Sequence, residues 1–337
     1  MKEKHNRPDF VKKGTTDMTE QTKKLAFPTM ITPFNRDGSI DTGAVRAMCD
    51  WYYENGCGGI FTACQSSEIF NLTVEERVLL AQTVVDRVNA LAAAHPDRPR
   101  MAVVASGHVS DTFEEQVYEL NAVVQTGIDT LILISNRMDI ANTGDDAWIA
   151  DTQRLMEAVP EIPLGVYECP YPYKRLLTDR MLSFCAQTGR FRYMKDTCCD
   201  AAVMARRAAL IADTPMRLYN ANAQTLLETL RSGCAGYCGV MCNFHPSLYV
   251  WLCANYAAAP ETAERLQAFL GTAAFTEALA YPVTAKYHLR EIAGLPLDSI
   301  ETRKRPASDL REYDRSCIRQ MALLAQTVQD TLSVSQQ

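Results

Sequence analysis

Short apolar runs alternate with longer amphipathic stretches along most of the chain. Eight runs have the length and composition of buried strands, at 26–31, 59–63, 101–105, 130–134, 164–167, 192–195, 216–219 and 235–240. Helical patterns follow the first seven, near 43–55, 73–94, 111–126, 145–158, 175–188, 199–211 and 222–232. This alternation predicts a parallel sheet with right-handed crossovers. Eight units favour closure into a (β/α)₈ TIM barrel over an open doubly wound sheet. An open doubly wound fold is also expected to have a glycine-rich phosphate-binding turn after the first strand. The sequence there is TPFNRDG, which lacks such a turn.

Several predicted helices carry start and stop signals. Thr73 precedes Glu76 in a capping-box pattern, and Ser110 stands before an acidic first turn. Four glycines follow helical patterns directly and are expected to end them, at Gly56, Gly127, Gly189 and Gly233.

The pattern divides the chain into three parts. Residues 1–22 are polar, without apolar periodicity or a secretory core, and are interpreted as a mobile extension. Residues 23–258 form the predicted barrel. Residues 259–337 continue as helical patterns without strands, and this C-terminal helical extension is expected to cap the barrel or mediate association.

Composition and charge exclude several functional classes. A formal net charge of -6 argues against nucleic acid as a partner, and no run of about 18 apolar residues is present to span a membrane. The 12 cysteines follow no compact disulfide framework, which favours reduced thiols in the cytoplasm. Cys234, Cys238 and Cys242 could hold zinc with His245, but a strand runs through them. Because four strand residues cover roughly 13 Å, these sulfurs cannot share one ion, and no metal is predicted.

Two strand ends carry the candidate chemistry. Lys195 ends the sixth apolar run and Tyr167 ends the fifth, so in a parallel barrel both face the same open end. Burial favours the uncharged amine, which is the nucleophile of Schiff-base chemistry, and a phenol beside it can move protons. The alternatives are a salt bridge from Lys195 to Asp196 and an ordinary buried tyrosine.

The turn after the second strand is the candidate for binding a carboxylate. Gln65, Ser66 and Ser67 lie where a strand-to-helix turn exposes backbone N–H groups. They can equally be ordinary turn residues.

Five segments together resemble the dihydrodipicolinate synthase / N-acetylneuraminate lyase family. They are TPFNRDGSID, GIFTACQSSEIFNLTVEER, VYECP, MKDT and GCAGYCGVMCNFHP, in order over roughly residues 25 to 330. The resemblance implies that Lys195 forms an imine with pyruvate or another 2-oxo acid and that Tyr167 is the general acid/base. It further implies that Gln65 and Ser66 cradle the carboxylate, that no cofactor is needed and that the protein is a homotetramer. Cys238, on the eighth strand, completes the candidate substrate-binding set with Ser67 and Arg137.

The departures from the family pattern affect the second substrate. Gln65 stands where the family has a hydroxyl residue, and an amide cannot relay a proton as a hydroxyl does. Arg137 falls where the synthases have a second tyrosine. In the mouth it would bind an anionic or polyhydroxylated substrate, and otherwise it would pair with Asp139 or Asp145. The synthases' substrate-gripping arginine is replaced by a segment beginning at Tyr171.

The sequence therefore predicts a class I lyase or aldolase that acts on pyruvate or a related 2-oxo acid. A genuine dihydrodipicolinate synthase is the alternative among enzymes. A non-catalytic sensor that binds a keto acid is the alternative from another class, and a pyridoxal phosphate barrel is a third, weaker one.

Overall fold

A computed structural model describes residues 23–334. The predicted mobile extension, residues 1–22, lies outside the described residues.

Eight parallel strands form the centre of the molecule. They are β1 (Leu25–Pro28), β2 (Gly59–Thr62), β3 (Ala102–Ser106), β4 (Thr130–Ile134), β5 (Leu164–Tyr167), β6 (Phe191–Asp196), β7 (Arg217–Asn220) and β8 (Gly236–Gly239). The order β1-β8-β7-β6-β5-β4-β3-β2 leaves β1 and β2 as neighbours, and a parallel bridge between Thr29 and Phe61 joins them. The N–H of Met30 also donates to the carbonyl of Phe61 at 3.0 Å. The sheet is therefore a closed ring, and the predicted barrel is confirmed.

Helices follow the strands and surround the ring. The barrel helices are α1 (Thr42–Glu54), α2 (Val74–Ala94), α3 (Phe113–Val124), α4 (Asp145–Ala158), α5 (Asp179–Gln187), α6 (Ala201–Leu210), α7 (Leu226–Arg231) and α8 (Pro246–Asn255). The remaining helices are α9 (Pro260–Ala273), α10 (Val283–Tyr287) and α11 (Glu312–Val334). A 3₁₀ turn (Ala274–Ala278) extends α9, and a π-helical turn (His288–Ile292) extends α10.

The helix boundaries follow local chemistry, with one correction. Thr73 and Glu76 form the predicted capping box at the start of α2. The start signal assigned to Ser110 was wrong: Thr112 caps α3 by accepting from the N–H of Glu115, while the Ser110 hydroxyl donates to Glu119. All four predicted stop glycines have positive φ, from 66° at Gly189 to 103° at Gly233, as a helix-ending residue in the left-handed region requires.

Aromatic rings fill the barrel interior. The rings of Tyr193 and Tyr219 stack with centroids 4.5 Å apart, and Phe27 meets both edge-on. Gly165 leaves the space for this layer, because a Cβ there would lie 2.4 Å from the Ile132 side chain and 2.9 Å from the Tyr193 side chain. These rings therefore fill the barrel beneath its carboxyl end.

The C-terminal segment is fixed to that upper end. The Lys286 ammonium lies 3.4 Å from the Glu68 carboxylate, and both side chains are fully buried. Burial lowers the pKa of Lys286 to about 8 although Glu68 opposes the shift. Glu68 also accepts from the backbone N–H groups of Arg303 and Lys304. The Glu68 carboxylate thus connects the turn after β2 to the last fifty residues or so of the chain. The predicted boundary between the barrel and the C-terminal region, near residue 258, stays a prediction.

Among the described helices, none combines the length and apolar character needed to cross a membrane.

Candidate active site

Lys195 and Tyr167 face each other across neighbouring strands. The register of β5 against β6 places Tyr167 directly opposite Lys195 at the carboxyl end of the barrel. The Lys195 Nζ lies 4.4 Å from the centroid of the Tyr167 ring and 5.6 Å from that of Phe61. Lys195 is 4% exposed and Tyr167 3%, so the amine and the phenol share a largely dry environment. Within residues 23–334, the Lys195 Nζ makes no ion pair or hydrogen bond.

A buried arginine fixes the two strand ends that carry these groups. Arg207, on α6, contacts Glu168 at 2.9 Å and also pairs with Asp196, and all three side chains are buried. Glu168 follows Tyr167 and Asp196 follows Lys195, and each points outward where its neighbour points inward. Asp196 is thus occupied by Arg207, and the alternative salt bridge between Lys195 and Asp196 is wrong. Burial, with the nearby Asp196 charge, raises the pKa of Glu168 to about 7.

The turn after β2 presents two free backbone donors. Ala63 and Glu68 have φ of 46° and 63°, in the left-handed region at both ends of the turn. Ser67 holds the turn closed: its hydroxyl donates to the Met30 carbonyl at 2.6 Å and accepts from the Cys64 N–H at 3.1 Å. The N–H groups of Gln65 and Ser66 donate to no acceptor among the described residues. Adjacent free N–H groups in a bent turn are suited to a carboxylate.

The three side chains of this turn have different surroundings. The Ser66 hydroxyl donates to that of Thr29 at 3.1 Å, with the Tyr281 phenol beside them. Gln65 Oε1 accepts from the Cys169 thiol at 3.7 Å. The Ser67 hydroxyl is occupied inside the turn, so the structure does not bring it to the pocket.

Thiols surround the phenol and the amine. Burial raises the pKa of Tyr167 well above its usual value, and the neighbouring thiols of Cys169 and Cys64 raise it further. Cys238 is fully buried on β8, where burial raises its pKa to about 11 and the charge of Lys195 opposes that shift. Cys238 is therefore close enough to Lys195 for the charge of the amine to act on the thiol. No group of three or more histidine, cysteine or acidic side chains in residues 23–334 is arranged to hold a metal ion.

Arg137 lies elsewhere. Its guanidinium pairs with Asp111 at 2.8 Å and donates to the Val109 carbonyl at 3.1 Å. Asp139, one of its two expected partners, is bound by Arg175 at 2.8 Å instead. Arg137 lines a cleft of about 240 Å³ together with residues of α3 and α4. None of its contacts is with Lys195 or Tyr167.

The sequence analysis did not identify two groups near Lys195 and Tyr167. Cys169 follows the end of β5. It could have been identified from the sequence, because reactive side chains of a parallel barrel lie at strand ends and in the loops after them. Glu277 comes from the 3₁₀ turn after α9, and burial raises its pKa to about 7 while the charge of Lys195 opposes that shift. The chain position of Glu277, within a predicted helix, gave no signal.

The arrangement supplies an amine that makes no ion pair with the described residues, a phenol beside it and two N–H donors for an acid group. These are the groups that imine formation with a 2-oxo acid requires. A carbonyl carbon bound by the amine would carry its carboxylate toward the turn after β2.

Comparisons with known proteins find similar sequences. Residues 23–93 match the model of the "Dihydrodipicolinate synthetase family". The chain is 25% identical over 276 residues to the 4-hydroxy-tetrahydrodipicolinate synthase of Methanothrix thermoacetophila, covering 80% of this chain and 88% of the relative. It is 23% identical over 282 residues to the enzyme of that name from Thiobacillus denitrificans, covering 82% and 89%.

Solved structures share the fold. A prophage protein of the dihydrodipicolinic acid synthase family from E. coli K12, solved with pyruvate, superposes with a TM-score of 0.77 at 20% identity, over 91% of this chain and 98% of that one. A monomeric dihydrodipicolinate synthase variant gives a TM-score of 0.77 at 17% identity, over 91% and 98%. At these identities the structures establish the barrel with its C-terminal helices.

Proposed function

We propose, from the premise that this chain belongs to the dihydrodipicolinate synthase family, that it is a Schiff-base-forming lyase or aldolase acting on pyruvate or a related 2-oxo acid. The observation that carries the proposal is the placement of Lys195. Its amine is buried and makes no ion pair with the described residues, and it lies against Tyr167 at the carboxyl end of a closed barrel.

The reaction begins with attack of the Lys195 amine on the ketone carbon of the oxo acid. The free N–H groups of Gln65 and Ser66 bind the carboxylate and hold the ketone within reach. Tyr167 gives its proton to the hydroxyl of the resulting carbinolamine, which leaves as water. The protonated imine then accepts the electron pair of the bond that breaks, or becomes an enamine that attacks an aldehyde.

The residues expected to bind the second substrate distinguish this chain from the synthases it resembles. Gln65 replaces the relay hydroxyl, and Arg137, which stands where the synthases have a second tyrosine, pairs with Asp111. We therefore keep dihydrodipicolinate synthase as the alternative and leave the aldehyde unassigned. The roles given to Gln65, Ser66 and Cys238 in binding substrate are part of the proposal, whereas Ser67 acts by shaping the turn.

Assembly and location are also proposed. The family resemblance supports a homotetramer in the cytoplasm, with no nucleic acid partner. A monomeric variant is known among similar structures, so sedimentation of the purified chain is the direct measurement of assembly.

Turnover tests the function. Pyruvate in deuterated buffer should lose its methyl proton signal when the protein is added, since imine and enamine interconvert with solvent exchange. Exchange at the rate of the protein-free control would contradict an enzyme and favour the keto-acid sensor. Consumption of pyruvate with each of a panel of aldehydes then separates the synthase from other aldolases.

A further inference from the structure

The thiol of Cys169 lies between Tyr167 and Gln65. Cys169 follows β5 by two residues, and its N–H donates to the Tyr167 carbonyl at 2.9 Å, so the chain bends sharply there. This bend returns the side chain to the face that Tyr167 occupies. The thiol is fully buried.

Both neighbours interact with this thiol. Cys169 donates to Gln65 Oε1 at 3.7 Å, and the sulfur lies close enough to the Tyr167 phenol for each group to shift the pKa of the other. The carbonyl oxygen of an amide can only accept, so the thiol hydrogen points at Gln65. The sulfur lone pairs are then left to accept the phenol hydrogen. The order of donors is therefore fixed from Tyr167 through Cys169 to Gln65.

We propose that Cys169 is the positioning residue for Tyr167: its thiol orients the phenol hydrogen and then stabilises the phenolate. This inference rests on the proposed function. In the resting state the sulfur holds the phenol hydrogen in one direction. When the carbinolamine hydroxyl takes that proton and leaves as water, a phenolate remains beside the thiol. The S–H group then turns from Gln65 to donate to the phenolate, and no bond of Cys169 breaks.

The neighbouring groups favour this role over simple packing. An apolar side chain of similar size would fill the space beside Tyr167 but leave Gln65 Oε1 without its donor. Hydrogen bonds to sulfur are weak, so the phenol hydrogen can move to the substrate oxygen at little cost. A hydrogen bond to a charged group contributes more than one to a neutral group, so the thiol matters most when the phenolate forms.

Two substitutions separate positioning from packing. Cys169→Val keeps the volume and removes the hydrogen bonds, whereas Cys169→Ser keeps a group that both donates and accepts. Cys185, a buried thiol on α5, provides the matched controls Cys185→Val and Cys185→Ser. For each purified full-length protein, pyruvate proton exchange gives kcat and KM, borohydride trapping gives the adduct, and urea unfolding gives stability.

We expect Cys169→Val to lower kcat about tenfold. Its KM for pyruvate and its adduct formation should stay within about twofold of those of the unmodified chain. The kcat of Cys169→Ser should be within about threefold of that of the unmodified chain. The Cys185 variants should keep kcat. A kcat for Cys169→Val equal to that of Cys185→Val, or better than that of Cys169→Ser, would overturn the inference, because an apolar packing position tolerates valine better than serine. Absence of any pyruvate adduct on the unmodified protein would instead overturn the proposed function itself, and this inference with it.

Discussion

The amine of Lys195 lies 4.4 Å from the centre of the Tyr167 ring because the two residues occupy paired positions on adjacent parallel strands. The backbone register of β5 against β6 sets this pairing, and it does not depend on side-chain conformation. Their outward-facing neighbours, Glu168 and Asp196, both bind Arg207. A single buried cation thus holds the two strand ends together from outside the ring while the reactive groups meet inside it.

Removing the Tyr167 hydroxyl should impair chemistry more than binding. We expect Tyr167→Phe to lower kcat for pyruvate proton exchange by about 10²- to 10³-fold, in the range of lost general acid–base catalysis, with KM little changed. Tyr193→Phe is the matched control, since it removes a phenol from the aromatic layer below, and its kcat should stay within about twofold. Equal losses in the two variants would refute a specific role for Tyr167.

The Arg207 contacts should dominate local stability. Arg207→Met leaves two buried carboxylates without a cation, which should lower the free energy of unfolding by about 3 to 5 kcal/mol. Arg180→Met, which breaks an exposed pair with Asp146, should cost less than about 1 kcal/mol. Urea unfolding measures both.

The loss of unfolding free energy in Arg207→Met, called its deficit below, should depend on pH in a defined direction. The pKa of Glu168, about 7 in the folded chain because of burial and the nearby Asp196, is already above its usual 4.5. Without the arginine it rises further, so the folded variant takes up a proton that the unfolded chain releases. The deficit should therefore shrink as pH falls from 8 to 5.5. A deficit that grows on acidification would contradict this assignment.

Glu277 should make the chain less stable as pH rises. Burial gives its carboxyl a folded pKa of about 7, against the usual 4.5, although Lys195 opposes the shift. The folded state therefore binds the proton more tightly, and the free energy of unfolding falls as pH rises between those two values. Glu277→Gln removes this dependence and should be more stable than the unmodified chain at pH 8 by about 1 to 3 kcal/mol.

The advantage of Glu277→Gln should be small at pH 4.5, where the native carboxyl is protonated. Glu114→Gln, at an exposed position on α3, provides a charge-matched control. A Glu277→Gln variant that is less stable than the unmodified chain at pH 8 would indicate that the carboxylate is bound by a partner.

The two serines of the turn after β2 should respond differently. Ser67→Ala leaves the buried Met30 carbonyl and Cys64 N–H without their partner, and should lower the free energy of unfolding by about 1 to 3 kcal/mol. Ser66→Ala loses the bond to Thr29 and the contact with the Tyr281 phenol, but it keeps its backbone N–H. We expect it to lower stability by less than about 1 kcal/mol and to alter KM for pyruvate less than twofold. A larger rise in KM would mean that the Ser66 hydroxyl itself binds the carboxylate.

The barrel and its central pair could be predicted because their signals are local. Apolar runs fix where strands end, and in a parallel ring every strand ends at the same face. The positions of Lys195 and Tyr167 therefore follow from strand ends alone. The stop glycines are equally local, since only their own φ is involved.

Other parts of the site depend on relations that no local pattern records. The direction of the Ser67 hydroxyl follows from a turn bounded by two residues with positive φ. Arg137 ends a 3₁₀ turn that runs from Ser135 to Arg137. Asp111, in the loop between β3 and α3, binds its guanidinium there. Glu277, which is close enough for the charge of Lys195 to affect its pKa, lies eighty-two positions further along the chain. Distant side chains decide these contacts, and a single sequence shows none of them.

Borohydride reduction in the presence of pyruvate tests the Schiff base most directly, with intact mass and peptide mapping as the readout. Lys286 is the internal control, because it is the other buried lysine among residues 23–334 and is paired with Glu68. We expect one reduced pyruvate adduct per chain, on the peptide that contains Lys195, and none in Lys195→Ala. Modification of Lys286 or another lysine, or no adduct with any 2-oxo acid, would contradict the proposed mechanism.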